Sequence, residues 1–195
     1  MYPSLLWQVK TERKAIYLTF DDGPCPKVTD AVLDVLKGFN AKATFFCLGK
    51  NVELHPKLFE RIVEEGHQVG NHTYGHSNGK KTNTSDYVED YQRCKQVFKS
   101  DLFRPPYGRM KRTQLKQIIK ESNIVMWDVL SGDFDAKLPK EQCLNNVISK
   151  TKKGSIVTFH DSLKSKEKVL YTLPKVLEHF SEKGYRFEPI QATNF

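Results

Sequence analysis

The 195-residue chain is 38% hydrophobic and 11% aromatic, enough apolar mass for one globular core, which excludes a disordered chain and a fibrous repeat. Its net charge of +8 is spread over residues such as Lys10, Arg13, Lys14, Lys111, Arg112, Lys152 and Lys153, so an anionic polymer surface fits better than nucleic acid, for which no recognition motif is present. Cys25, Cys47, Cys94 and Cys143 are too far apart for a zinc ribbon or a disulfide framework and read as reduced core or surface thiols. The opening M-Y-P-S-L-L-W-Q-V-K is too short in apolar residues for a signal peptide, and no run is long enough to span a bilayer, so the chain as written is expected in the cytoplasm without a membrane span.

Residues 1–14 read as an N-terminal extension to a single domain over 15–195. The domain opens on A-I-Y-L-T-F-D-D-G, where Ile16, Leu18 and Phe20 predict a buried strand that stops at two adjacent carboxylates. Like charges side by side resist desolvation, so Asp21 and Asp22 read either as half of a metal site or as a solvated Asp-Gly turn. A helix is predicted over Thr29–Gly38, a covered strand over Ala43–Leu48 and a helix over Pro56–Glu65. Gln68–Asn71 is a brief strand leading to His72, and Ser85–Phe98 a helix with Tyr87, Tyr91, Cys94 and Phe98 on one side. Leu102-Phe103-Arg104 meets a Pro-Pro, and then a helix over Thr113–Glu121, a strand over Ile124–Val129 and a helix over Lys140–Lys150 follow. A strand over Ser155–His160, a helix over Thr172–Lys183 and an extended piece over Tyr185–Pro189 complete the chain. This alternation implies a parallel α/β sheet, either doubly wound or closed into a barrel, with functional groups at the carboxyl ends of strands. Asp21, Asp22, His72, Arg104, Asp133 and His160 each follow an apolar run and so fall at such ends.

His72 and His76, four apart in G-N-H-T-Y-G-H, have a spacing that puts two imidazoles on one side of a helical turn and suits a transition metal. One carboxylate of the Asp pair would complete a His-His-Asp triad with open positions for water and substrate. The second would be free to act as general base, a role worth about 10²–10⁴ in rate. His160 suits a general acid, the alternative being a core-edge histidine bonded to Asp161. Arg104 either holds a site carboxylate ionised or lies on the surface before a rigid turn, and Tyr107-Gly108 beyond it is placed to offer a backbone N–H to an oxyanion. His55, His67 and His179 read as solvated, and Trp127 as a packing residue on its strand or a substrate contact.

T-F-D-D-G-P, H-T-Y-G-H, R-P-P-Y-G and the strand ending in His160 resemble, in order, the motifs of the polysaccharide deacetylase family of metal-dependent carbohydrate esterases, from about Ala15 to Ile190. The resemblance implies a distorted (β/α) barrel of about seven parallel strands. It further implies hydrolysis of acetyl groups from N-acetylated or O-acetylated polysaccharides or oligosaccharides with a divalent metal, commonly Zn2+ and in some members Co2+, Mn2+ or Ni2+. Carried across by motif, Asp21 is the expected base, Asp22, His72 and His76 the metal ligands, Arg104 the partner of Asp21, and Tyr107 an oxyanion donor. His160 is the expected acid and Asp133 the residue tuning it. Phe134 replaces the family's usual Trp and Thr158 its usual Leu, two positions that commonly line the acetyl-methyl pocket, so acyl or polymer preference is where this chain is expected to differ. A small-molecule amidohydrolase and a sugar-binding protein without turnover are the alternatives.

Overall fold

Strand β2 (Ala15–Asp21) shows how one sequence serves two environments, because successive side chains on a strand face opposite ways. Ile16, Leu18 and Phe20 point outward into the layer shared with the helices, while Ala15 and Tyr17 pack with Val9, Phe46, Ile156 and Ile190 in a separate cluster inside the curled sheet. Thr19 and Asp21 continue that inward column. Strand β8 (Ile156–His160) pairs with β2 in register, Tyr17 opposite Ile156, Thr19 opposite Thr158 and Asp21 opposite His160. The interior therefore changes from apolar to polar along the strands, and the polar end is the carboxyl end.

The computed structural model describes residues 5–191 and Asn194. Met1 to Ser4, part of the expected extension, lie outside the described residues. The remaining strands are β1 (Leu5–Leu6), β3 (Thr44–Cys47), β4 (Gln68–Asn71), β5 (Leu102–Phe103), β6 (Asn123–Val125), β7 (Val129–Leu130) and β9 (Arg186–Phe187). Among the described residues these nine form one sheet in the order β1-β6-β5-β4-β3-β2-β8-β7, with β9 added beside β2 and every ladder parallel. Seven α-helices join them: α1 (Thr29–Gly38), α2 (Gly49–Leu54), α3 (Pro56–Glu64), α4 (Thr84–Val97), α5 (Arg112–Ile118), α6 (Lys140–Ile148) and α7 (Lys166–Glu182). The architecture is a single-domain, distorted (β/α) barrel, with nine short strands where about seven were expected. The edge strands β1 and β7 do not pair with each other among the described residues. Residues just before β2 cross the foot of that seam, Gln8 bridging Ser155 and Val9 N–H bonding Gly154 C=O at 2.9 Å. None of the helices searched among the described residues is long and apolar enough to cross a membrane.

Two elements and one histidine depart from the sequence reading. The run Ile124–Val129 is two strands on opposite sides of the seam, β6 beside β5 and β7 beside β8, because Met126–Asp128 carries the chain across. Helix α7 begins at Lys166, six residues before the expected Thr172, and carries Pro174 inside it. Its stripe of Val169, Leu173, Val176, Leu177 and Phe180 is buried, and that burial outweighs the proline, which in sequence marks a helix start more readily than an interior. His67 is buried, not solvated: its Nδ1 accepts the Ala43 N–H at 3.1 Å, and burial pushes it down to about 4, so it is neutral. The cysteines are free thiols, three of them buried and Cys25 half-buried.

Candidate active site

The interior column of β2 ends on a charge pair that the sheet break requires. Leaving β6 frees the carbonyls of Val125 and Met126, and Arg104, just past β5, reaches across the barrel to donate to both, Nε at 3.3 Å and Nη2 at 2.9 Å. Its remaining face pairs with Asp21, Nη1 to Oδ1 at 2.8 Å, while the Thr19 and Thr158 hydroxyls accept from the same nitrogen at 2.7 and 3.1 Å. Arg104 is fully buried and Asp21 is 4% exposed, so the pair is dry and its charges act on each other at short range. The Phe46 ring lies 4.1 Å from the guanidinium carbon and Trp127 5.5 Å. Gly70 has no side chain because a Cβ there would sit 2.4 Å from Phe46. The surface alternative for Arg104 is thus excluded. Thr158, expected beside an acetyl methyl, is instead buried with its hydroxyl on Arg104 and Thr19.

Asp22, one residue on, turns the other way, at φ 83°. Its Oδ1 lies 3.1 Å from His76 Nε2 and 3.8 Å from His72 Nε2, and the three ligand atoms fall within 4.8 Å of one another. His72 Nδ1 is 2.8 Å from the Arg104 carbonyl, which can only accept, so the proton is on Nδ1 and Nε2 presents a lone pair to the carboxylate. Burial pushes His72 down to about 4, against the pull of Asp21, so it is neutral at physiological pH. Burial also works to raise Asp22, but the His76 contact and the fields of the neighbouring histidines outweigh it and hold the carboxyl well below the usual range. Asp22 Oδ1 is buried and has no hydrogen-bond partner. The His72 lone pair thus faces a carboxylate oxygen, and an oxygen plus two imidazole nitrogens is a donor set that suits a divalent transition ion.

The spacing of His72 and His76 does not arise from a helical turn. Residues 72–76 are a loop in which Thr73 and His76 adopt φ 66° and 64°, and other side chains hold it. Asn71 Oδ1 accepts Thr73 N–H at 2.7 Å, Thr73 Oγ1 accepts His76 N–H at 3.0 Å, and Asp90 on α4 accepts Gly75 N–H at 2.9 Å. Asn71, Thr73 and Asp90 were not picked out in sequence; the only trace is that short polar residues flank the histidines.

His160 faces this cluster from β8. Its partner is Asp133, not Asp161: the Asp133 carboxylate accepts the His160 backbone N–H at 2.7 Å and its Nδ1–H at 2.8 Å, which leaves Nε2 for the site. Burial opposes protonation, but the Asp133 bond and charge, with Asp21 and Asp22 adding, push the imidazole up to about 9. Phe134 stands edge-on to His160 with ring centroids 5.0 Å apart. On the metal side the exposed Tyr107 ring packs on His76 at 4.7 Å. Tyr107 itself is left-handed, φ 60°, and among the described residues its N–H makes no backbone hydrogen bond. Trp127 seats that turn, since a Cβ on Gly108 would meet its ring at 2.6 Å.

Comparison with known proteins gives a consistent picture. The family model for polysaccharide deacetylase matches residues 8–127. The chain is 34% identical over 189 residues to a peptidoglycan-N-acetylglucosamine deacetylase of Bacillus cereus, which covers 93% of this chain and 88% of that protein. It is 30% identical over 174 residues to a chitooligosaccharide deacetylase of Azorhizobium caulinodans, covering 84% and 81% respectively. The crystal structure of a peptidoglycan N-acetylglucosamine deacetylase in complex with an N-oxidanyl-benzamide superposes with a TM-score of 0.90 at 32% identity, over 96% of this chain and 91% of that one.

Proposed function

This chain belongs to the polysaccharide deacetylase family, and on that footing we propose that it hydrolyses the acetamide of N-acetylglucosamine units in a peptidoglycan- or chitin-type glycan. The observation that carries the reading is the convergence, at one end of the barrel, of a buried carboxylate paired to arginine, a histidine paired to a buried aspartate and an Asp-His-His cluster. Asp22, His72 and His76 would hold the metal, with zinc as the first candidate among Zn2+, Co2+, Mn2+ and Ni2+. A divalent ion there supplies Lewis acidity, polarising a carbonyl and acidifying water.

The chain's own groups divide the proton work. Asp21, paired to Arg104, takes the proton of the attacking water. His160, protonated on both nitrogens near neutral pH, gives its Nε2 proton to the departing amine, and Asp133 holds the ring in place and carries the balancing charge. The Tyr107 N–H is free to bind the oxyanion. One water is consumed, and acetate and the free amine leave. Phe134 packs on the acid and would border the acyl group, whereas Thr158 serves Arg104.

The two alternatives are not favoured. A protein without turnover should lack a base or an acid, whereas Asp21 and His160 offer residues of both types; a small-molecule amidohydrolase is not supported by relatives named for acting on glycans. An acetate-release panel on zinc-loaded protein tests the reading. Peptidoglycan glycan strands and chitooligosaccharides should yield acetate, and cyclic amides should not. Turnover of the amides alone would reverse the assignment.

A further inference from the structure

Asp161 follows the acid His160 and has no part in the proton transfers above, yet its carboxylate is completely buried beside the site. Oδ1 accepts the Gly23 N–H at 3.0 Å and Oδ2 the Thr29 hydroxyl at 2.6 Å, while Thr29 Oγ1 itself accepts the Cys25 N–H at 2.7 Å. The backbone N–H of Asp161 bonds the Asp21 carbonyl at 3.1 Å. Residues 21–29 are therefore wrapped around one acid.

We propose that Asp161 is a positioning residue for the metal site, holding the ligand Asp22 in a backbone conformation that it would not otherwise keep. The inference rests on the reading of Asp22, His72 and His76 as metal ligands. Asp22 stands at φ 83°, a region that residues with a Cβ avoid. Its φ and ψ are set by the two peptide groups that flank it, and both are tied. The first is fixed through the Asp21 carbonyl to Asp161 N–H. The second is fixed at both ends, the Asp22 carbonyl by Asn51 Nδ2 at 2.7 Å and the Gly23 N–H by the Asp161 carboxylate. The fit leaves no slack, since a Cβ on Gly23 would lie 2.1 Å from Asp161 Oδ2. Without the carboxylate, the peptide after Asp22 is free to turn, Asp22 relaxes towards ordinary φ, and Oδ1 swings away from the two imidazoles. Asp161 also joins the halves of the site, because it is covalently next to the acid and hydrogen-bonded next to the ligand.

Zinc dissociation constants from chelator competition on the full chain, measured beside Tm, test this. Asp161→Ala should weaken zinc binding about 10–100-fold, the usual scale for losing a group that orients a metal ligand. Thr29→Val, which removes one of the two donors and keeps the volume, should shift it in the same direction by less. Asp128→Ala is the matched control. The Asp128 carboxylate also accepts one backbone N–H, from Ile156 at 2.7 Å, and one hydroxyl, from Ser155 at 2.9 Å, but at the opposite end of β8. It should lower Tm and leave zinc affinity alone. If Asp161→Ala and Thr29→Val bind zinc within about two-fold of the parent while Tm falls as in the control, Asp161 is a core acceptor only and the proposal is overturned. Should Asp161→Ala not fold, Thr29→Val decides by itself. A parent chain that takes up no zinc removes the metal reading instead, a different failure from this one.

Discussion

At the His160 half of the site the chain supplies the partners itself: Asp133 takes both the ring Nδ1–H and the backbone N–H, and the strand register sets His160 opposite Asp21. At the Asp22 half a buried carboxylate oxygen has no partner, and Asp22, Thr73, His76 and Tyr107 are four of the six left-handed non-glycine residues among those described. One half is a regular strand end whose histidine is tied to Asp133 through Nδ1 and the backbone N–H. The other is a set of loops held in left-handed backbone conformations by neighbouring hydrogen bonds, around a donor set that suits a cation. Among the described residues the left-handed non-glycine conformations gather at the Asp22 half, and Asp133 and His160 have none. Arg104 belongs to both, since its carbonyl sets the His72 tautomer and its guanidinium pairs with Asp21.

The largest expected effect separates the halves outright. Chelation should reduce acetate release to background and added zinc restore it, while the imidazole proton resonances of His160 persist in the stripped protein; their disappearance would show that the acid half also depends on the ion. Arg104→Met should damage both halves. It leaves Asp21 buried without a counter-charge, and the expected loss is about 3–5 kcal/mol of unfolding free energy in urea titrations. A change under about 1 kcal/mol would mean that the pair is hydrated and not the buried hub described here.

Asp133→Asn acts on the acid half alone, and its sign follows from His160. The folded imidazole titrates at about 9 against an ordinary value of 6.5, so the Asp133 pair contributes stability in full below about 6.5 and loses it as pH rises through about 9. The variant should be less stable than the parent at neutral pH, by a margin that narrows as pH rises through about 9, and lose activity at a lower pH because the acid deprotonates earlier. An unchanged alkaline limb would argue that His160 is not the proton donor. The smallest effect belongs to Thr158→Val, which removes one of the hydroxyls that share Arg104 Nη1. About 1 kcal/mol of stability and a few-fold in kcat are expected, with zinc affinity unchanged.

The sequence was most legible where the chain is regular. The β-rich apolar runs A-I-Y-L-T-F-D and I-V-T-F-H mark β2 and β8, so the sequence alone puts Asp21 and His160 at their ends. The order of the motifs points to Asp22, His72 and His76, which the fold brings together, although the two histidines sit on a loop and not on the helical turn that their spacing suggests. A four-residue spacing carries no sign of left-handed residues, and Thr73, His76 and Asp22 look like ordinary polar positions. Asp133 was found as the tuning partner, but the tie from Asp161 to Gly23 joins residues 138 apart and leaves no local pattern to read. The split of Ile124–Val129 was invisible for a related reason: an apolar run is equally consistent with one strand or two, and only the seam of the barrel decides. Likewise Thr158 looked like a change in the acyl pocket because its partner, Arg104, is distant in sequence.

Two adjacent aspartates divide the labour between the halves of the proposed site. Metal content per chain, determined on Asp22→Ala and Asp21→Asn proteins after equilibration with zinc and dialysis, measures that division directly. One zinc per chain in Asp21→Asn, with turnover reduced by about 10²–10⁴, and none in Asp22→Ala is the predicted result. Equal loss of zinc from both variants, or full retention in Asp22→Ala, would contradict it.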